Sequence, residues 1–207
     1  MLAYHRGVLD TKARRLVQPA LDAIAAACLR AGVGADALTI AGMLVGVMAA
    51  LIVALGHPMA GFAVLWLSGL VDAADGTLAR LTRATPLGAI LDITFDRVVE
   101  ISMIAALAWL HPEARFELVI LAGVVAIAMS LFLSIGAAVQ NRSVKSFHYA
   151  PGLGERTEAF ICLSLMILDQ QRLAPWTWVF VGVIVFTMGQ RLMHARHMLS
   201  DARERSP

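Results

Sequence analysis

Six runs of apolar residues, separated by short polar stretches, follow one another along most of the chain. They cover about residues 38–56, 59–80, 86–110, 116–139, 158–168 and 176–193. At ~1.5 Å per residue, a helix over the first run is roughly 28 Å long, close to the ~30 Å hydrocarbon thickness of a bilayer. The pattern therefore predicts six transmembrane helices, of which the fifth is the shortest.

A different pattern precedes the first run. Between about residues 10 and 31, apolar residues recur at helical spacing, and Lys12, Arg14 and Arg15 stand at the start. A basic amphipathic helix of this kind is typical of a segment that lies along a membrane surface. The prediction is one membrane domain over residues 1–207: an all-α integral membrane protein with six transmembrane helices preceded by an N-terminal amphipathic surface helix.

The composition agrees with a membrane protein and excludes other classes. Hydrophobic residues make up 59% of the chain and charged residues 15%, and the mean hydropathy is +0.74. Soluble domains are usually about 45–50% apolar and about a quarter charged. The net charge is only +2 and no run is rich in lysine or arginine, so we expect no nucleic-acid partner.

The basic residues also predict an orientation. They concentrate before the first run, after the last run, and in the second-to-third and fourth-to-fifth connections, whereas the other three connections hold one arginine each at most. Positively charged loops stay on the cytoplasmic side of a membrane. We therefore expect both termini and the active site to be cytoplasmic, at the plasma or inner membrane if the source is prokaryotic.

Four aspartates interrupt the second and third runs. Asp72 and Asp75 are three residues apart and Asp92 and Asp96 four apart, so each pair lies on one helix face. The turn between the two runs contains proline and glycine, so the helices should return as an antiparallel hairpin with the pairs facing each other. Like charges this close need a cation, and Mg²⁺, Mn²⁺ and Ca²⁺ favour carboxylate oxygens.

Residues beside the aspartates indicate a phosphate-rich ligand. Gly76 allows close backbone approach, Ala79 keeps the same face open, and Arg80 is suited to a phosphate oxygen. Glu100, one turn beyond Asp96, is either a partner of the site or half of an ion pair with a neighbouring arginine. The pattern predicts metal ions and an arginine that hold a phosphorylated substrate at the membrane surface.

These residues resemble the signature of the CDP-alcohol phosphatidyltransferases, D-x2-D-G-x2-A-R-x8-G-x3-D-x3-D. The chain fills all eight fixed positions, with Asp72, Asp75, Gly76, Ala79, Arg80, Gly88, Asp92 and Asp96. One difference is visible, because seven residues rather than eight separate Arg80 from Gly88. Upstream, the family often has Pro-Asn-x-x-Thr, where this chain has Ala35, Asp36 and Thr39.

The resemblance implies a reaction and roles for residues. The family transfers a phosphoalcohol group from a CDP-alcohol, commonly CDP-diacylglycerol, to a hydroxyl acceptor and releases CMP. By resemblance, the four aspartates bind two divalent cations, Mg²⁺ or Mn²⁺, and Asp96 is also the general base. The nucleotide would be bound by Asp72, Asp75, Gly76, Ala79, Arg80, Thr85, Gly88 and Thr39. Family members are often homodimers.

The acceptor is indicated by less specific residues. The basic side chains Arg142, Lys145, Arg156 and Arg191 are candidates for binding the phosphate of an acceptor such as glycerol 3-phosphate or inositol phosphate. The alternative is that they only follow the positive-inside rule and contact lipid headgroups. Two other functions also use membrane aspartates, a metal-dependent prenyltransferase acting on a polyprenyl diphosphate and, as a non-enzyme, a cation-coupled transporter.

Overall fold

The computed structural model of the chain describes residues 8–83, 85–140 and 156–204, with side chains over residues 18–83, 85–138 and 158–198. These residues are mostly helical and include no strand. The helices are α1 (Val8–Arg30), α2 (Ala35–Ala54), α3 (Pro58–Leu81), α4 (Pro86–Leu110), α5 (Arg115–Gln140), α6 (Arg156–Leu168) and α7 (Leu173–Glu204). Short 3-10 turns, Pro112–Ala114 and Gln170–Arg172, precede α5 and α7. The all-helical prediction is confirmed for this part of the chain.

Four stretches of the described chain are long and apolar enough to cross a membrane. They are Ala35–Ala54, Pro58–Leu81, Pro112–Ala138 and Gln170–Met198. Helix α4 has 25 residues but carries four charged side chains, and α6 has only 13 residues. Length and composition therefore support a multi-pass membrane protein with four candidate spans, and the count of six stays a prediction. Helix α1 forms where an amphipathic helix was expected, and its place on the membrane surface also stays a prediction.

The chain divides into two compact units. The first contains residues 1–50 and 63–99, and thus α1, most of α2 and α3, and the first half of α4. Two glycines of α2 contact the neighbouring helices of this unit. Ser68 on α3 donates a hydrogen bond of 2.7 Å from Oγ to the carbonyl oxygen of Gly42, and a Cβ atom at Gly46 would lie 2.5 Å from Val99 Cγ2 on α4. Small residues thus let three helices approach closely in this unit.

The second unit contains residues 51–62 and 100–207. In it, α5 and α6 both pack against α7. The connections at one end are joined by polar contacts. His111 Nε2 lies 2.9 Å from Gln170 Oε1, and Trp176 donates a hydrogen bond of 3.1 Å from Nε1 to Asp169 Oδ2. The first contact joins the turn before α5 to the turn before α7, and the second ties the start of α7 to the end of the α6–α7 connection.

Candidate active site

Three of the four aspartates come together in the first unit. Asp72 on α3 and Asp92 and Asp96 on α4 each offer a carboxylate oxygen, and the three oxygens all lie within 4.8 Å of one another. Asp72 and Asp96 are partly buried. Carboxylate oxygens at this spacing are the donor set that Mg²⁺ and Mn²⁺ prefer, so the residues fit a divalent cation.

Asp75 lies one turn further along α3 and differs from the other three. Its side chain is only 6% exposed, and it is not part of the three-carboxylate group. A buried carboxylate is kept in a protein when partners compensate for its lost hydration. Its predicted role as a metal ligand stays a prediction.

Helix α2 fixes the position of Asp72 through a glycine. A Cβ atom at Gly42 would lie 3.6 Å from the backbone nitrogen of Asp72 and 3.5 Å from Val71 Cγ1. These are ordinary van der Waals distances, so α2 packs directly against the backbone of α3 at the start of the metal cluster. Sequence reasoning missed this support, although the Gly-x-x-x-Gly spacing of residues 42–46 is a known signal for close helix packing.

The turn between α3 and α4 is built around Thr85. Its Oγ1 accepts a hydrogen bond of 2.9 Å from the backbone N–H of Gly88, and Pro86 is the first residue of α4. Thr85 is therefore the N-cap of α4, followed by proline in its favoured position. The shortened linker thus closes with a regular cap, and the predicted nucleotide contact of Thr85 has to share this hydroxyl.

Gly88 is the meeting point of α4 with the first turn of α2. A Cβ atom at Gly88 would lie 2.9 Å from Asp36 Oδ1 and 3.1 Å from Thr85 Oγ1. Asp36, which takes the place of the asparagine that the family often has, therefore lies beside a residue of the signature. Thr39, one turn further along α2, is buried and donates a hydrogen bond of 3.0 Å to the carbonyl oxygen of Ala35.

Arg80 folds back along its own helix. Its Nη2 donates a hydrogen bond of 2.8 Å to Thr77 Oγ1, and its Nη1 lies 3.6 Å from where a Cβ atom of Gly76 would be. The guanidinium group therefore lies over the bare backbone of Gly76, and Arg80 itself is exposed. This arrangement leaves most of its N–H groups available to an anion.

Among the candidate acceptor residues, Arg191 is the one whose side chain is described. Arg142 and Lys145 lie outside the described residues, as does the side chain of Arg156 at the start of α6. The guanidinium carbon of Arg191 lies 5.2 Å from the centre of the Phe132 ring. Its Nε is buried and has no hydrogen-bond partner among the side chains and backbone that the structure describes. Glu100, whose role the sequence left open, is 2% exposed.

Comparison with known proteins assigns the chain to a family. The family model for CDP-alcohol phosphatidyltransferase matches residues 33–189. The chain is 30% identical over 189 residues to the archaetidylinositol phosphate synthase of Methanothermobacter thermautotrophicus, covering 87% of this chain and 89% of that protein. It is 29% identical over 196 residues to the inner membrane protein YnjF of Escherichia coli, covering 89% of this chain and 94% of that protein.

A solved protein has a similar fold. The phosphatidylinositol phosphate synthase of Mycobacterium tuberculosis with CDP-DAG bound gives a TM-score of 0.70 at 25% identity, covering 84% of this chain and 92% of that one. The same protein in complex with manganese and citrate gives a TM-score of 0.64 at 26% identity, covering 84% and 88%. The chain therefore belongs to the CDP-alcohol phosphatidyltransferase family, and it is a membrane transferase of phospholipid biosynthesis.

Proposed function

We propose that the chain transfers a phosphatidyl group from CDP-diacylglycerol to an inositol phosphate and releases CMP. The observation that carries this proposal is the group of Asp72, Asp92 and Asp96, which has the donor set for a cation that binds a diphosphate. The likeness to a phosphatidylinositol phosphate synthase and an archaetidylinositol phosphate synthase supports inositol phosphate as the acceptor. Glycerol 3-phosphate is the second candidate acceptor, and family membership speaks against the prenyltransferase and the transporter.

The metal site accounts for the charge that the reaction develops. Asp72, Asp92 and Asp96, together with Asp75, would hold two divalent cations. A divalent cation held by these carboxylates would supply positive charge to offset the negative charge that develops during an in-line displacement at phosphorus. The carboxylates would set where the diphosphate binds, and α2 supports Asp72 by packing against the backbone of α3 at Gly42.

Asp96 would take the proton of the acceptor hydroxyl. The hydroxyl oxygen forms a bond to the phosphorus that carries the lipid, the bond from that phosphorus to the CMP oxygen breaks, and CMP leaves. The proton goes to a carboxylate oxygen of Asp96. A general base that is positioned in this way typically contributes a factor of about 10²–10⁴ to the rate.

The residues of the α3–α4 turn would bind the nucleotide. Arg80 lies over Gly76, so a phosphate oxygen can approach both the guanidinium group and the bare backbone. Ala79 and Gly88 remain predicted members of this nucleotide site, and Asp36 Oδ1 and Thr85 Oγ1 lie where a side chain of Gly88 would be. Thr39 and Thr85 already hydrogen bond within the protein, so any contact that they make to the nucleotide would use the remaining capacity of their hydroxyl groups.

The acceptor phosphate would lie against the basic residues at the cytoplasmic side. Arg191 supports this proposal, because its guanidinium group lies against the Phe132 ring and its terminal Nη groups are not among the buried donors. Arg142, Lys145 and Arg156 remain predicted members of the same site. The proposal also includes six transmembrane helices, the α1 helix on the membrane surface, a cytoplasmic active site and a homodimer.

The test is release of CMP from CDP-diacylglycerol by the purified full chain in detergent or vesicles. Myo-inositol 1-phosphate, glycerol 3-phosphate, serine and myo-inositol are supplied separately, each with Mn²⁺ or Mg²⁺ and each with EDTA. Of the four acceptors, we expect only inositol phosphate to support CMP release. We expect that release to stop when EDTA removes the metal. Release with glycerol 3-phosphate but not with inositol phosphate would reject the acceptor, and absence of CMP with every acceptor would reject the reaction.

A further inference from the structure

Arg191 is held by an aromatic face in the second unit. Helices α5 and α7 pack together, and their contact brings the guanidinium carbon of Arg191 to 5.2 Å from the centre of the Phe132 ring. A cation within about 6 Å of a ring centre is attracted by the negative face of the ring. Both side chains are half-buried, which limits the water that would weaken this attraction.

The aromatic contact holds Arg191 without using its hydrogen-bond donors. A guanidinium group presents its five N–H groups in its own plane. An aromatic ring instead attracts the flat face or the positive charge of the guanidinium group, so the N–H groups are not used in this contact. The Nε of Arg191 is buried, and in the described part of the protein it donates to no acceptor. The terminal Nη groups are not among the buried donors and donate to no acceptor in the described residues, so they are the part of this side chain that an acceptor from outside the protein can reach.

We propose that Phe132 is a positioning residue for the acceptor phosphate, acting through Arg191. The inference rests on the proposed function, in which Arg191 binds the phosphate of inositol phosphate. The ring fixes the long arginine side chain in one orientation before the acceptor binds, so less conformational entropy is lost on binding. A phosphate monoester then accepts hydrogen bonds from the in-plane N–H groups that the ring leaves free.

The first test separates aromatic from aliphatic side chains at position 132. Phe132→Leu keeps an apolar side chain but removes the ring, and Phe132→Tyr keeps the ring. We expect Phe132→Leu to raise KM for inositol phosphate by about fivefold, with kcat and KM for CDP-diacylglycerol unchanged. Phe132→Tyr should stay near the wild-type value. The matched control is Phe186→Leu, because Phe186 on α7 is 56% exposed and should not affect either KM.

A second test keeps the shape of the side chain and changes only the ring. Phenylalanines with one, two and three ring fluorines are introduced at position 132 by nonsense suppression, since fluorine progressively weakens the negative face of the ring. The expected result is a stepwise increase in KM for inositol phosphate with each added fluorine. A KM that does not change across this series, or one that changes equally for both substrates, would overturn the role of Phe132.

Arg191→Gln distinguishes failure of this inference from failure of the proposed function. If Arg191→Gln raises KM for inositol phosphate but the fluorinated series does not, Arg191 binds the acceptor and Phe132 does not position it. If Arg191→Gln leaves that KM unchanged while wild-type protein uses inositol phosphate, both roles are rejected and the arginine only faces lipid headgroups. If the wild type does not use inositol phosphate at all, the proposed function itself fails.

Discussion

The three clustered carboxylates repel one another strongly at the spacing that the structure gives them. With oxygens within 4.8 Å, each ionised pair costs on the order of 3–4 kcal/mol at an effective dielectric constant of about 20. A whole domain is stable by only about 5–15 kcal/mol. Positive charge near Asp72, Asp92 and Asp96 would therefore stabilise the folded state by offsetting this repulsion. A divalent cation would supply two positive charges in one small ion.

Asp96 differs from Asp92 in the role that we propose, because it is expected to be both a ligand and the general base. We predict that Asp96→Asn lowers kcat by about 10²–10⁴-fold, since the amide cannot accept the proton of the acceptor. Asp92→Asn loses a metal ligand, so excess Mn²⁺ should restore part of its activity. CMP release measured against Mn²⁺ concentration distinguishes the two variants.

The control for this pair is Asp22→Asn, because Asp22 is exposed on α1 and bonds only to Gln18 in the described structure. It should keep wild-type activity at every metal concentration. Recovery of Asp96→Asn by excess Mn²⁺ to the same extent as Asp92→Asn would show that Asp96 acts as a ligand without being the base.

At the level of helices, the geometry of the site depends on small residues of α2. Gly42 accepts the hydrogen bond of Ser68 from α3, and Gly46 lies against Val99 of α4. Helices α3 and α4 carry the aspartates, so α2 acts as the common surface on which both are placed. The close approach of α2 at these two glycines is the packing that supports both aspartate-bearing helices.

We predict that Gly46→Ala destabilises the protein and disrupts the site. The added Cβ atom would lie 2.5 and 2.7 Å from the two methyl groups of Val99 and 2.9 Å from Ser68 Oγ. Val99 is buried and β-branched, so it has little freedom to move. Overpacking of this kind costs about 1–3 kcal/mol. We expect a lower Tm in detergent and a lower kcat for CMP release.

Gly123→Ala is the matched control, because Gly123 also lies inside a helix and a Cβ atom there would meet nothing within 4 Å. Alanine favours helix over glycine by about 1 kcal/mol, so this variant should keep or raise the Tm. If the two variants lower Tm equally, the effect comes from the helix backbone and the packing argument at Gly46 is wrong.

The sequence predicted helices better than contacts. The third apolar run, about residues 86–110, coincides with α4, and the second run, about 59–80, differs from α3 by one residue at each end. Local spacing was sufficient to place Asp92 and Asp96 on one helix face. The cap formed by Thr85, the approach of Asp36 to Gly88 and the ring over Arg191 were not predicted, since they join residues whose proximity depends on the turn or on tertiary packing.

For the whole molecule, the main question is whether α4 and α6 cross the membrane. Helix α4 is long enough, at about 37 Å for its 25 residues, but it carries Asp92, Asp96, Arg97 and Glu100. Charged residues in a span are tolerated when they face the protein interior, and Glu100 is buried in this way. Helix α6, with 13 residues, is about 20 Å long and would need the turn that follows it to complete a crossing.

The two topologies differ in the location of Glu113, an exposed residue in the turn between α4 and α5. A topology with six spans places Glu113 outside the cytoplasm. In a topology with four spans α4 does not cross the membrane, so Glu113 stays on the cytoplasmic side. We predict that Glu113→Cys, in a background with Cys28→Ala and Cys162→Ala, reacts with a membrane-impermeant maleimide in intact cells. A variant that retains CMP release is required, so that the labelled protein is the folded one.

Two exposed positions calibrate the labelling because their sides are the same in both topologies. His57→Cys, between α2 and α3, should react from outside, and Thr82→Cys, after α3, should react only in permeabilised cells. If Glu113→Cys behaves like Thr82→Cys, α4 does not cross the membrane. Its aspartates would then lie on a helix along the cytoplasmic surface, and the six-span topology would be rejected. The predicted cytoplasmic location of the α5–α6 connection would be rejected with it.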